Sequence, residues 1–236
     1  MGCRSNMLAI IGAMDEEVSK IKECMTDTVI ERKAGMDFYC GKLSGKDAVV
    51  VRCGIGKVNA GICAQILADC YHADRMINTG IAGSLQNQID IGDIVLSSDT
   101  LQHDMDATGF GYAPGVIPRM ETSVFKADEK LIRVAEAACR KVNPEIGVHV
   151  GRVVSGDQFI SDKNKKKWLI ENFNGFCCEM EGAAIAQTAY LNEIPFLIVR
   201  AISDKADDSA SMDYSEFEAK AIIHSVNLIL EMAQQL

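Results

Sequence analysis

Short apolar runs alternating with stretches of helical spacing fill this chain, and that alternation constrains its fold more than any other feature. Met7 to Ile11 is closed by Gly12, and Asp15-Glu16-Glu17 then opens a helix in which Val18, Ile21 and Met25 recur at helical spacing. Gly54-Ile55-Gly56 leads into a helix through Cys70, Arg75 to Asn78 makes a strand before Gly80-Ile81-Ala82-Gly83, and Ile94 to Leu96 is strand-like. Beyond a long loop from Gln102 to Met120, a helix spans Leu131 to Val142 and stops at Asn143-Pro144. Val148 to Val154, a basic helix after Ser161, the strand Phe176-Cys177-Cys178, a helix from Glu181, the strand Phe196 to Ile202 and a C-terminal helix from near Asp213 complete the pattern. It implies an α/β fold with a largely parallel sheet covered by helices on both faces. One antiparallel portion is expected, because Phe38 to Leu43 and Ala48 to Val51 flank the hairpin signal Ser44-Gly45-Lys46.

With 236 residues, 48% of them hydrophobic, the chain can bury one large core. No stretch reads as a linker, a repeat or low complexity, so a single domain over 1–236 is expected, with residues 1–6 disordered. A net charge of −9 argues against a nucleic-acid partner. The one dense basic run, Lys163 to Lys167, reads as a solvated helix face. Nine cysteines, two of them adjacent and none in a Cys-x-x-Cys pair, suggest reduced thiols in a cytoplasm rather than a disulfide framework or zinc site. The N-terminus lacks an apolar signal core and no run reaches membrane-spanning length, so the expectation is a soluble, cytoplasmic protein without a membrane partner.

Chemistry concentrates on carboxylates. Glu179-Met180-Glu181 precedes a helix, and the apolar run from Pro195 to Ile202 ends in Ser203-Asp204. An acid closing so apolar a strand is desolvated, its pKa rises, and a carboxyl that keeps its proton near neutral pH is what a general acid needs. Glu17 and Glu181 lie in first helical turns, where the helix dipole alone would favour them. Arg200 interrupts the same strand as Asp204, roughly 13 Å from it along an extended chain. Its partner is expected to be Glu17, Glu181 or substrate. The two glycine loops fit neither phosphate-loop nor dinucleotide fingerprints, and tight strand-to-helix turns account for them. His103-Asp104-Met105-Asp106 has no second histidine or cysteine nearby to complete a metal site. Phe159 and Phe110-Gly111-Tyr112 could stack on an aromatic ligand or anchor the core.

Taken together, Ile11-Gly12-Ala13-Met14-Asp15-Glu16-Glu17-Val18, Gly54-Ile55-Gly56-Lys57-Val58, Asn78-Thr79-Gly80, Val154-Ser155-Gly156-Asp157, Glu179-Met180-Glu181 and Arg200-Ala201-Ile202-Ser203-Asp204 closely resemble, in order and spacing, the bacterial 5′-methylthioadenosine/S-adenosylhomocysteine nucleosidases. The resemblance runs from about Met7 into the last helix. It implies a single-domain three-layer sandwich with a mixed, largely parallel central sheet of the nucleoside-phosphorylase type, a homodimer, no cofactor and no metal.

The resemblance further assigns Asp204 as the acid that protonates adenine, oriented by Ser203, and Glu17 as the base that activates water near Arg200. Glu181 would hold the ribose hydroxyls, with Met180 beneath the ribose and Glu179 among the substrate-binding residues. Phe159 would stack on the purine and Ile160 would read its edge through the backbone. Ile55, Ile81, Ala82, Gly83 and Tyr214 would complete the pocket, while Ala107, Phe110 and Pro118 would come from the neighbouring subunit. Ile81 stands where the family usually has serine, Ser84 replaces a loop glycine, and Tyr214 takes a phenylalanine position. Carboxylates in the first loop, and Asn78 rather than arginine before the Thr79-Gly80 loop, favour water over phosphate as the nucleophile. Arg52 is the nearby cation left without an assignment.

Overall fold

The computed structural model describes residues 6–236. Of the segment expected to be disordered, Asn6 accepts a hydrogen bond from Arg75, and the rest lies outside the described residues. Ten strands form one mixed sheet. In chain order they are β1 (Leu8–Gly12), β2 (Met25–Lys33), β3 (Met36–Leu43), β4 (Lys46–Arg52), β5 (Arg75–Ser84), β6 (Ile94–Gln102), β7 (Phe125–Lys126), β8 (Val148–Ser155), β9 (Cys177–Glu179) and β10 (Phe196–Asp204). The helices are α1 (Asp15–Glu23), α2 (Lys57–Tyr71), α3 (Glu129–Val142), α4 (Lys163–Phe173), α5 (Gly182–Leu191) and α6 (Ala210–Gln235).

From its free edge the sheet runs β2-β3-β4-β1-β5-β9-β8-β6-β10, and β10 returns to pair with β5, so half of it closes on itself. β1 joins β4 and β5 in parallel, β5 joins β10 in parallel, and β8 lies parallel to β6 and β9. Antiparallel pairing extends beyond the expected hairpin to β2–β3, β10–β6, β5–β9 and β6–β7. α2 and α5 pack together on one side, while α6 packs on β5 and β10 and against α1 and α3. Every residue of β1, β10 and all but the first of β5 is buried, as expected of strands covered on both faces.

Several boundaries depart from expectation, β6 running on to Gln102 and the short β7 being unannounced among them. Met25 is not on α1: the helix ends at Glu23 and Met25 begins β2, whose mostly exposed, charge-rich sequence carries no alternation to announce a strand. Gly80 to Gly83 is not a turn, because β5 continues through it, held by the ladders to β10 and β9. α6 begins at Ala210 instead of Asp213. The Gln102–Met120 stretch is indeed irregular, apart from one 3-10 turn at Thr108–Phe110.

Candidate active site

The carboxyl ends of β1, β5, β9 and β10 converge, and each delivers part of one polar cluster. Glu17, in the first turn of α1, folds back so that Oε2 accepts the N–H groups of Ala13 at 2.6 Å and Met14 at 3.0 Å. Its Oε1 accepts Ile81 N–H at 3.3 Å. Burial raises the Glu17 carboxyl, while Arg200 and these three N–H donors pull it back. The side chain therefore caps its helix and is also held, by backbone, against β5.

Arg200, 1% exposed, is bound by Glu179 at 2.5 Å and Glu181 at 3.6 Å. It also donates to Asn78 Oδ1 and, at 3.3 Å, to the Ile81 carbonyl. Sequence reasoning named Glu181 but missed Glu179 as the main partner, and Glu17 is held by backbone instead. The cause is local: Glu179 ends β9 and caps α5, accepting the N–H of Glu181 at 3.0 Å and of Gly182 at 2.8 Å. Ser155 donates to its other oxygen. Glu181 takes the Gly56 N–H at 2.8 Å, and Gly56 is glycine for a reason, since its φ of 96° opens α2 in a region other residues avoid. Burial first, then the neighbouring Glu179 and Glu17 charges, push the Glu181 carboxyl up to about 7 against the pull of Arg200.

Asp204, 2% exposed, accepts Ser203 Oγ–H at 2.8 Å on one oxygen and Ala206 N–H at 2.8 Å on the other. Burial outweighs those two donors and raises its pKa, as the apolar strand led one to expect. Gly80 explains why β5 tolerates this crowding: a Cβ there would lie 2.6 Å from Glu17 Oε1 and collide with the Arg200 guanidinium.

These groups line a cavity of about 460 Å³. Glu17, Ile55, Ile81, Ala82, Gly83, Phe159, Ile160, Glu179, Met180, Glu181, Arg200, Ser203, Asp204 and Tyr214 all face it. Phe159 and Tyr214 meet edge to face, 5.9 Å apart, at its rim. Ala13, Met14, Gln158, Cys178 and Ser211 also line it and were missed; Ala13 and Met14 lie within a recognised motif and Gln158 and Cys178 directly adjoin one, whereas Ser211 carried no signal. Ala107, Phe110 and Pro118 do not line this chain's own cavity, and Phe110 is 88% exposed, which removes the core-anchor reading for it. Arg52 is placed outside as well, 3.3 Å from Asp15. Among the described residues no group of His, Cys, Asp or Glu is arranged to hold a metal ion. The described cysteines are all free thiols, and no helix among the described residues is long and apolar enough to cross a membrane.

The phosphorylase superfamily model matches residues 7–234. A 5′-methylthioadenosine/S-adenosylhomocysteine nucleosidase of Bacillus thuringiensis (strain Al Hakam) is 38% identical over 230 residues, 97% of this chain and 99% of its own. The crystal structure of the Neisseria meningitidis nucleosidase of the same name, in complex with methylthio-immucillin-A, superposes with a TM-score of 0.92 at 37% identity, covering 98% of this chain and 100% of that one. A futalosine hydrolase of Helicobacter pylori superposes with a TM-score of 0.93 at 29% identity, covering 98% and 99%.

Proposed function

The chain belongs to the phosphorylase superfamily, and from that membership we propose that it hydrolyses the N-glycosidic bond of 5′-methylthioadenosine and S-adenosylhomocysteine, releasing adenine and the 5′-substituted ribose. The observation that carries the reading is the pair of buried carboxylates, Glu17 and Asp204, facing one cavity in different hydrogen-bonding environments. Asp204, its pKa raised, donates a proton to N7 of adenine, because a purine anion leaves poorly. Ser203 and the Ala206 N–H fix the carboxyl while it does so. Glu17, fixed as an acceptor by three N–H groups, takes the proton of the attacking water. Arg200 Nε, buried and without a protein partner, is the donor left to meet an oxygen there. Glu181 holds the ribose hydroxyls, and the negative charge of the surrounding carboxylates stabilises an oxocarbenium-like transition state. Phe159 and Tyr214 pack on the purine and the 5′ group, with Met180 under the sugar and the Ile160 backbone at the purine edge.

Water is favoured over phosphate because the cavity has no spare cation. Arg200 is the one basic residue among the described lining, and Glu179 and Glu181 already neutralise it. Arg52, the candidate for a phosphorylase alternative, is spent on Asp15. The exposed Phe110 and the partly exposed Tyr112 support a homodimer in which a second copy brings Ala107, Phe110 and Pro118 to the 5′ end of the cavity. The setting is a cytoplasm, and the role is salvage of methionine and recycling of S-adenosylmethionine by-products. The test is incubation of purified protein with methylthioadenosine, with and without phosphate. Adenine and free methylthioribose should form at equal rates in both. Dependence on phosphate, or a sugar 1-phosphate product, would refute hydrolysis, and a much faster reaction with a futalosine-type nucleoside would transfer the assignment to that substrate.

A further inference from the structure

β6 and β8 are parallel neighbours in which Gln102 pairs with Ser155, so both strands leave the sheet at the same end. Asp104 and Asp157, each two residues further on, therefore meet. Asp104 Oδ2 accepts the Asp157 N–H at 2.9 Å, and Oδ1 takes the Lys57 ammonium at 2.6 Å. Asp157 Oδ1 in turn accepts the Lys57 N–H at 2.8 Å. This closed ring ties together three segments: the exit of β6, the exit of β8 and the start of α2. Two of them lead straight into the cavity. Asp157 is followed by Gln158, Phe159 and Ile160 on the purine side, and Lys57 is preceded by Gly56, whose N–H holds Glu181 at 2.8 Å.

Asp104 itself lines none of the cavity, yet it bonds to both walls, to the purine side through the Asp157 N–H and to the start of α2 through the Lys57 ammonium. Its pair with Lys57 leaves each side chain only 17% exposed, so water and salt screen it weakly. Burial raises the Asp104 carboxyl, and the bonds from Lys57 and the Asp157 N–H more than offset that, leaving it below its ordinary value and ionised. His103 beside it does not share the task. Its ring is 2% exposed with neither nitrogen bonded, and burial pushes its pKa down to about 4, so it is a neutral filler packed against Gly156. We propose that Asp104 is a positioning residue for substrate binding, clamping the purine wall and the ribose-holding Glu181 in register. This rests on the reaction proposed above.

The test uses the full chain as wild type, Asp104→Ala, Asp104→Asn and Lys57→Met. It reads adenine binding by calorimetry and steady-state adenine release from methylthioadenosine. Losing both bonds in Asp104→Ala should raise the adenine Kd and the KM by about tenfold or more, the effect of removing charge-assisted hydrogen bonds. The change in kcat should stay within about threefold, because the carboxylate never touches the reacting bond. Lys57→Met cuts the tie to the start of α2 but keeps the Asp104 bond to the Asp157 N–H, so it should weaken adenine binding less than Asp104→Ala does, with Asp104→Asn between wild type and Asp104→Ala. Should Asp104→Ala fail to fold, Asp104→Asn carries the comparison. Unchanged Kd and KM in the folded variant, a loss confined to kcat, or a loss in Lys57→Met as deep as in Asp104→Ala overturns the proposal. A wild type that releases no adenine from methylthioadenosine sinks the reaction instead, and the adenine affinities of the variants still decide the clamp.

Discussion

Glu181→Gln should stabilise the ligand-free protein above neutral pH while impairing it as a catalyst. A carboxyl whose folded-state pKa lies above its unfolded value contributes stability below the unfolded value and loses that contribution as pH rises through the folded one. For Glu181 the two values are 4.5 and about 7, so the loss falls between them. Their gap corresponds to about 3 kcal/mol at pH 8. That gap is already net of the 3.6 Å attraction to Arg200, which works against burial. Glu179, at 2.5 Å, still neutralises the guanidinium, and a glutamine oxygen still accepts from Gly56. The expectation is a gain of about 3 kcal/mol at pH 8, or roughly 6–12 °C in Tm for a chain of this size. Urea denaturation of wild type and variant from pH 4.5 to 8.5 measures it: the two curves should nearly meet at the acid end, part between about pH 4.5 and 7 and run parallel above that. A variant destabilised at pH 8, or a difference that does not change with pH, would show that Glu181 is not a strained carboxylate.

Asp204→Asn should lower kcat by about 10²–10⁴-fold while adenine-analogue affinity stays near wild type, since the amide can bond but not donate an acid's proton; near-native turnover would remove Asp204 from the role. The protein should sediment as a dimer at assay concentration, and Phe110→Ala should raise KM for methylthioadenosine far more than it alters kcat, because that side chain would touch the substrate's tail. A fully active monomer, or an unchanged KM, would dissolve the shared-site arrangement and leave the carboxylate chemistry standing.

Much of this site was legible because its residues obey local rules. Glu17 sits where an acid caps a helix, and Asp204 where a buried strand meets a loop, with burial raising the Asp204 carboxyl as that placement requires. What escaped was set by tertiary pairing. Glu179 could not be singled out as the main partner of Arg200, because the meeting depends on β9 lying antiparallel to the end of β5. Likewise the glycines of Gly80 to Gly83 read as a turn, since glycine usually ends strands, whereas here its missing side chain lets a strand pass beneath two charged groups. β2 was invisible for the opposite reason: as an exposed edge it needs no apolar face, so its sequence shows charge where a strand is sought.

The triple engagement of β5 bears on when the molecule becomes competent during synthesis. β1, from the start of the chain, pairs with its first half, whereas β9 and β10 reach it only after residues 177–204 have been made. Glu17 therefore finds Arg200 and Asp204 only when the closing strand slots in beside β5, and α6 must follow to cover that strand. A chain ending before β10 contains the partners of the amino-terminal hairpin and the first parallel pairs, yet it lacks Arg200, Ser203 and Asp204 of the cavity wall. Closure across so long a stretch of chain is slow compared with local helix formation. The nascent chain is thus inert until nearly complete, and acquisition of activity is a direct clock for the last long-range step of folding.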